Sequence, residues 1–341
     1  MRNFPLRDSG TVAVLFILLL FPEITGANPS PEIPRLELTI TRVFPKEDSS
    51  DYKDSYIWKG SDIDVDPDGR IYVSDEKADL IHIYGPSGLW LSNFGRRGQG
   101  PGEFISPFSI SAVQDKIFAK DIGNRRIQEF GADGRYRSQV KLTHGINDFV
   151  VKSSSVLDKE RIYACQSQDP PVLVLNTAGE VLDSFGEALS FKRDFNVLNL
   201  ASIAVDDNSD VYLAYLYAPV IRKYSSAGEL LKEKEMPFDF VKKYKEENDK
   251  FYGTSRYWAI FADIKSSHGS LFLMCLDKSI IRIIEMDGNL EPRKIYEIDF
   301  ARINEDVLIR HFAVTFINDK PRFYFMEASS IRNQVYVLAP K

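Results

Sequence analysis

The chain has 341 residues, with 43 Lys and Arg against 49 Asp and Glu, so its formal net charge is −6. Hydrophobic residues make up 44%, charged residues 27% and aromatics 12%, a globular balance that excludes a disordered, collagen-like or polytopic membrane chain. Two cysteines exclude a disulfide-rich scaffold.

Arg2 and Arg7 precede an uncharged run over residues 11–21, and Pro22 and the small residues Thr25, Gly26 and Ala27 follow. A basic start, a short apolar stretch and a small-residue exit describe a secretory signal peptide, with cleavage after Ala27. The run is well short of the roughly 20 apolar residues that span a bilayer as a helix. The expected organisation is therefore a signal peptide over 1–27 and a single domain over 28–341, secreted to the periplasm or the extracellular space, with no membrane span after signal removal. Arg2 and Arg7 balance Asp8 and Glu23, so the mature chain keeps a charge of −6.

The mature N-terminus opens on an orphan strand over 35–41, with alternating apolar residues. Residues 63–65, 70–74, 80–84 and 89–94 then read as four short strands, separated by Asp-Pro-Asp-Gly at 66–69 and Gly-Pro-Ser-Gly at 85–88. This unit recurs. An apolar residue followed by an aromatic stands at Ile71-Tyr72, Ile117-Phe118, Ile162-Tyr163, Val211-Tyr212, Leu271-Phe272 and Phe323-Tyr324, at intervals of 46, 45, 49, 60 and 52 residues. Twelve residues after each aromatic comes a large apolar residue, from Tyr84 to Tyr336. Four further on comes Gly88, Gly134, Gly179, Gly228 or Gly288, and in the sixth unit Pro340. Four strands at a period near 50 residues predict propeller blades. The sixth unit has only three strands, so the N-terminal strand is expected to supply its outer one and cover the open edge. The fold class is all-β: a six-bladed β-propeller of four antiparallel strands per blade, its last blade closed by the N-terminal strand. Cys165 and Cys275 fall in non-neighbouring units and are expected as buried free thiols.

Residues 94–104, Phe-Gly-Arg-Arg-Gly-Gln-Gly-Pro-Gly-Glu-Phe, followed by Pro107, form a glycine-rich linker, and 121–130 combine an Asp, an Asn-x-Arg and an Ile-Gln-x-Phe. These two motifs resemble the signatures of the NHL-repeat family. They cover the first two units only, while units three to six keep the spacing. The whole chain is similar to secreted bacterial six-bladed propellers of unassigned function. The resemblance implies the fold, which hosts binders and enzymes alike.

In such a propeller the linkers between blades and the turns between second and third strands open on one face, the mouth of the central channel, where binding tends to live. The expected ligand-binding residues there are Arg96, Arg97, Arg125, Arg193, Arg256, Tyr257, Arg310 and Arg332. An arginine- and aromatic-rich mouth suits an anionic small molecule or an acidic peptide, because guanidinium forks pair planar anions. Solvated loop charges, or blade-to-blade ties such as Arg125 with Asp121, are the plainer alternative. The linker over 237–257 is the longest and carries Phe240, Val241 and Tyr244 on one face of a short helix, either a lid or a surface insertion. Aligning the inner strands on their apolar residues gives a ring of Asp62, Ser109, Asp148, Ser202, Ala259 and His311. Asp62, Asp148 and His311 are the metal ligands of an alternative reading, holding calcium or zinc. The resemblance adds metal-dependent lactonases and zinc-dependent amidating lyases as relatives, but the amidating lyases use several histidines. Only His82, His144, His268 and His311 occur in this chain. Residues 64–75 match a calcium-loop spacing, yet the same letters make a hairpin turn in the first unit.

The sequence holds no phosphate-binding loop, nucleophile elbow or zinc-protease motif. The expected function is a secreted, non-enzymatic binding module with no cofactor, acting as a monomer on an unknown protein, peptide or small anionic ligand. The alternative is a metal-dependent hydrolase or lyase at the channel mouth. Export and negative charge argue against a nucleic-acid partner.

Overall fold

The computed structural model describes residues 32–46, 52–154, 159–191, 196–250, 257–302, 307–327 and 333–341, so the expected signal peptide lies outside them. Strand β1 (Arg35–Phe44) comes first. Blade 1 is β2 (Gly60–Val65), β3 (Ile71–Asp75), β4 (Leu80–Tyr84) and β5 (Trp90–Phe94); blade 2 is β6 (Pro107–Val113), β7 (Lys116–Asp121), β8 (Arg126–Gly131) and β9 (Tyr136–Lys141). Blade 3 is β10 (Asp148–Ser154), β11 (Lys159–Cys165), β12 (Val172–Asn176) and β13 (Val181–Phe185); blade 4 is β14 (Ala201–Val205), β15 (Val211–Tyr215), β16 (Val220–Tyr224) and β17 (Leu230–Glu235). Blade 5 is β18 (Phe261–Ser267), β19 (Ser270–Asp277), β20 (Ile280–Met286) and β21 (Pro292–Asp299). Blade 6 has β22 (Ile309–Ile317), β23 (Lys320–Glu327) and β24 (Val335–Pro340), with β1 as its outer strand.

The repeat has a packing cause. Each apolar–aromatic pair lies on a blade's second strand, which is covered on both faces: Tyr72, Tyr212 and Phe272 are fully buried. Outer strands such as β5 alternate between half-buried and exposed residues, as strands with one solvated face do. Six apolar clusters fill the six seams between neighbouring blades. Tyr72 and Ile83 meet Ile110 and Phe130 between blades 1 and 2, and Ile63 and Val73 meet Tyr324 and Met326 between blades 1 and 6. The last seam closes the ring. The turn glycine also has a defined task. Gly88 has φ +76°, and a Cβ there would come within 2.6 Å of Phe44, the end of β1. Gly134 stands in the same relation to Phe94, the end of β5. Positive φ and a close aromatic neighbour both demand glycine.

Strand β1 does more than complete blade 6. Its second half pairs antiparallel with β24, from Leu38 opposite Pro340 to Phe44 opposite Val335. Its first half runs parallel to β21, with Leu36 opposite Tyr296, so one strand joins the outer edges of blades 5 and 6. Cys165 and Cys275 are free and buried. The long fourth linker forms a helix, Asp239–Lys250, that buries Val241, Tyr244 and Asn248 against blades 4 and 5. Among the described residues no helix is long and apolar enough to cross a membrane.

Candidate functional site

The inner strands line a central channel, and its waist is built from three carboxylates on alternate blades. Asp62, Asp148 and Asp263 each accept the N–H of the next residue, Ile63, Phe149 and Ile264, at 2.8 Å. Each also reaches the following blade, to Ile110 N at 2.9 Å, Ile203 N at 3.4 Å and Phe312 N at 3.3 Å. In blades 1 and 5 the ladder slips at that residue, between Gly60 and Asp62 and between Phe261 and Asp263. Such a bulge re-aims a side chain, here towards the channel. Blade 6 slips between Ile309 and His311. His311 Nδ1 lies 3.6 Å from Asp62 Oδ1 and 3.5 Å from Asp263 Oδ2. Ser202 Oγ lies 2.9 Å from Asp148 and 2.8 Å from Asp263, and its single proton serves one of them at a time. Lys265 Nζ is 3.3 Å from Asp263 Oδ2.

Burial and charge pull these groups apart. Burial raises the Asp62 pKa despite the nearby Lys265 and His311, and burial lifts Asp64, one turn of the pleat below, to about 6. For Asp263 burial acts upward too, but Lys265 and then His311 outweigh it and hold the group below the usual carboxylate range. Burial acts to lower the Lys265 pKa, but Asp263, Asp62, Asp148 and Asp64 together outweigh it and keep the ammonium firmly protonated. His311 likewise sits above its ordinary value, because Asp62 and Asp263 outweigh its burial. A group held above its unfolded pKa adds stability that is complete below the unfolded value and is lost as pH rises through the folded one. His311, Asp62 and Asp64 all have this sign, whereas the contribution of Asp263 is lost only below about pH 4. The protein is therefore expected to be more stable at pH 5 than at pH 8, by on the order of 1 kcal/mol. Urea unfolding at both pH values checks this, and Asp64→Asn should reduce the difference. Stability that rises with pH would contradict it.

Above the waist the channel widens into a cavity of about 600 Å³ lined by blades 2 to 6. Leu200, Leu216, Phe261 and Leu276 supply apolar wall, and Lys120, Asp148, Arg310 and His311 supply the polar part. Phe108 lies edge-on to the His311 ring at 6.0 Å. Tyr217 lines the cavity and packs at a tilt against Tyr257, with ring centroids 5.8 Å apart. Asn248 of the inserted helix donates to Tyr217 O at 3.2 Å and Trp258 O at 2.9 Å, so the helix fixes the rim. Below the waist, Asp64, Lys152 and Lys265 line a smaller cavity of about 210 Å³.

The sequence-derived candidates distribute unevenly over this geometry. Arg310 and His311 line the cavity, and Tyr257 backs its rim. Asp62 and His311 meet at the waist, with Asp263 completing a cluster whose ligand atoms lie within 4.8 Å of one another; Asp148 joins through Ser202. Arg96 pairs with Glu103 at 2.8 Å and Arg97 with Asp79 at 3.1 Å, both within the linker region of blades 1 and 2. Arg125 lines a separate open groove with Gln139, Lys141 and Thr143. The tie to Asp121 is made by the neighbouring Arg126, at 2.9 Å. Arg193, Arg256 and Arg332 lie outside the described residues. The calcium-like spacing is a hairpin between β2 and β3, where Asp66 accepts from Arg70 N and Tyr72 OH, both at 2.9 Å.

The fifth ring position is Asp263, not Ala259, and Lys265 follows it into the channel. The available signal was local: Asp263-Ile264-Lys265 repeats the Asp–aliphatic–charged pattern of Asp62-Ile63-Asp64.

The sequence model of the family DUF5128, described as a 6-bladed beta-propeller, matches residues 57–267. No protein of curated function matches the chain. Among solved structures, a DUF4221 family member from Bacteroides vulgatus superimposes with a TM-score of 0.60 at 10% identity, covering 90% of this chain and 98% of that one. A Bacteroides fragilis protein described as exported gives 0.57 at 14% identity, over 90% and 95%. Virginiamycin B lyase from Staphylococcus aureus, with quinupristin, gives 0.52 at 12% identity, over 83% and 81%. At these identities the likeness is one of fold.

Proposed function

The chain belongs to the DUF5128 family of six-bladed beta-propellers, and from that premise we propose that it is an exported binding module that takes a small amphipathic ligand in its channel mouth. The supporting observation is the cavity itself. Its volume, about 600 Å³, is that of a small-molecule pocket, and such pockets combine apolar walls with a few placed polar groups. It is built on rigid inner strands, with a rim braced by Asn248 of the inserted helix. The secretory-type segment over 1–27 supports export.

Filling the mouth tests this reading. Ala259 lines the cavity just ahead of β18, so Ala259→Phe should occupy ligand space at little cost to the fold. A library of small aryl and alkyl acids, amides and alcohols is expected to contain compounds that raise the melting temperature of the parent and leave Ala259→Phe unmoved. Equal shifts in both proteins would contradict binding at the mouth.

The metal-dependent hydrolase or lyase reading has one observation in its favour, the convergence of Asp62, Asp263 and His311. The donor set does not suit a resident metal. The carboxylate oxygens of Asp62 and Asp263 already accept backbone N–H groups, and the Lys265 ammonium stands 3.3 Å from Asp263, so it competes for the position of a cation. Protein purified without chelator is expected to carry well under one metal per chain, with an unchanged melting temperature after EDTA. A stoichiometric metal whose removal lowers the melting temperature would favour the enzyme.

A further inference from the structure

We propose that the ligand of the channel mouth is a small amphipathic carboxylate whose anionic end is bound by Lys120. The inference rests on the binding reading above and adds the chemical class of the ligand.

Lys120 is the penultimate residue of β7, lines the cavity and is only 6% exposed. A buried ammonium is costly unless its charge is paired and its three N–H groups find acceptors. Two acceptors are present: the carbonyl oxygens of Ile146 at 2.9 Å and Asn147 at 2.7 Å. Among the described residues no carboxylate comes within ion-pairing distance of Lys120, and the Phe108 ring lies 5.7 Å away. Burial lowers the pKa of this ammonium, and Asp148 opposes that only through space. An ammonium with one unused donor and no carboxylate in contact, facing the cavity of the channel mouth, is a place prepared for an anion. Asp148 shares the cavity, but its oxygens accept from Phe149 N and Ile203 N, with Ser202 Oγ 2.9 Å away, and it shares Lys265 with three other carboxylates.

The other polar groups at the mouth have the same sense. Arg310 is exposed, lines the cavity and has no ion pair among the described residues. His311 turns Nδ1 towards Asp62 and Asp263, which favours the protonated ring; its second nitrogen is then a donor as well. The mouth is rich in donors and poor in free acceptors. That asymmetry selects a carboxylate over an amine or an alcohol, because charge-assisted hydrogen bonds are the stronger ones. The apolar wall of Leu200, Leu216, Phe261 and Leu276 then calls for an aryl or alkyl body. One charged end and one apolar body fit a cavity that sets Lys120 beside these apolar side chains.

The test compares each acid with its own amide, a neutral partner of nearly the same shape. Calorimetric titration of the parent protein with hexanoate, decanoate and 4-phenylbutanoate, and with the three amides, is expected to show at least one acid binding about tenfold or more tightly than its amide. In Lys120→Met that preference should fall to within about twofold, while the amide binds as before. Lys120→Met removes partners from two buried carbonyls and can lose stability on that account, so the acid–amide comparison in the parent stands as an independent measurement. Acids and amides of equal affinity would overturn the carboxylate assignment and leave the pocket. No binding by any of the six probes to the parent would overturn both. An acid preference that persists in folded Lys120→Met would overturn the role of Lys120.

Discussion

A chain lacking residues 28–44 is expected to melt about 5–10 °C below the chain that begins at residue 28, or to fail to accumulate as folded protein. The size of the effect follows from what β1 covers. Leu38 and Phe44 are each only 3% exposed, and full burial of such side chains is worth about 1.5–3 kcal/mol apiece. Leu38 belongs to the core between blades 5 and 6 and Phe44 to the core between blades 6 and 1, so both seams open. Removal also leaves β24 and β21 with unpaired edges, which invites aggregation. The combined loss, about 5 kcal/mol, is a large part of the 5–15 kcal/mol that holds a typical domain together. Differential scanning calorimetry decides the matter; a truncated chain that melts within about 2 °C of its parent would show that the ring does not need this strand.

Replacing Lys265 by methionine should cost about 2–3 kcal/mol at pH 7.5, since it leaves the fully buried Asp263 uncompensated; a fully buried pair would lose more, but Lys265 is itself 23% exposed. Lys265 is the cation that Asp62, Asp263, Asp148 and Asp64 share. Without it, the carboxylates already lifted by burial, Asp62 and Asp64, are expected to rise further. Their sign then dictates the rescue: stability returns as pH falls and the waist takes up protons. The urea midpoint of Lys265→Met should therefore lie far below that of the parent at pH 7.5 and recover a substantial part of the gap at pH 5. Adding Asp263→Asn to Lys265→Met should restore stability at pH 7.5, with a coupling energy above about 1 kcal/mol, as for residues in one charge network. A Lys265→Met protein as stable as the parent at pH 7.5 would mean that its ammonium does not hold the waist.

The blade plan was legible because its cause is local and repeated. A second strand buried on both faces needs an apolar residue and an aromatic, and in blades 1 to 4 the turn four residues past the third-strand residue needs positive φ, at Gly88, Gly134, Gly179 and Gly228, whereas in blade 5 that conformation falls two residues later, on Leu290. These demands recur at nearly constant spacing. The closing role of β1 was legible from its orphan status, but its parallel contact with β21 was not, since nothing in alternation specifies a second neighbour. The waist was legible only in part. Asp148 lies 15 residues before its second-strand aromatic Tyr163, and Asp263 only 9 before Phe272, because the hairpin between β10 and β11 is longer. Bulges at Asp62 and Asp263 then shift the facing residue again. Apolar alignment therefore placed Ala259 where Asp263 belongs. The arginine count at the mouth was a poor guide for a different reason. Arg96 and Arg97 pair with Glu103 and Asp79, and the buried charge-poor position of Lys120 depends on carbonyls of the next blade's linker.

A crystal structure grown at saturating 4-phenylbutanoate shows directly whether the channel mouth is a binding pocket above the charged waist. The acid is expected in the cavity, its carboxylate at Lys120 and its ring against Phe261 and Leu216, with the Asp62–Asp263–His311–Lys265 contacts unchanged. An acid bound only on the outer face of the blades, or a mouth that holds solvent alone at saturation, would contradict it.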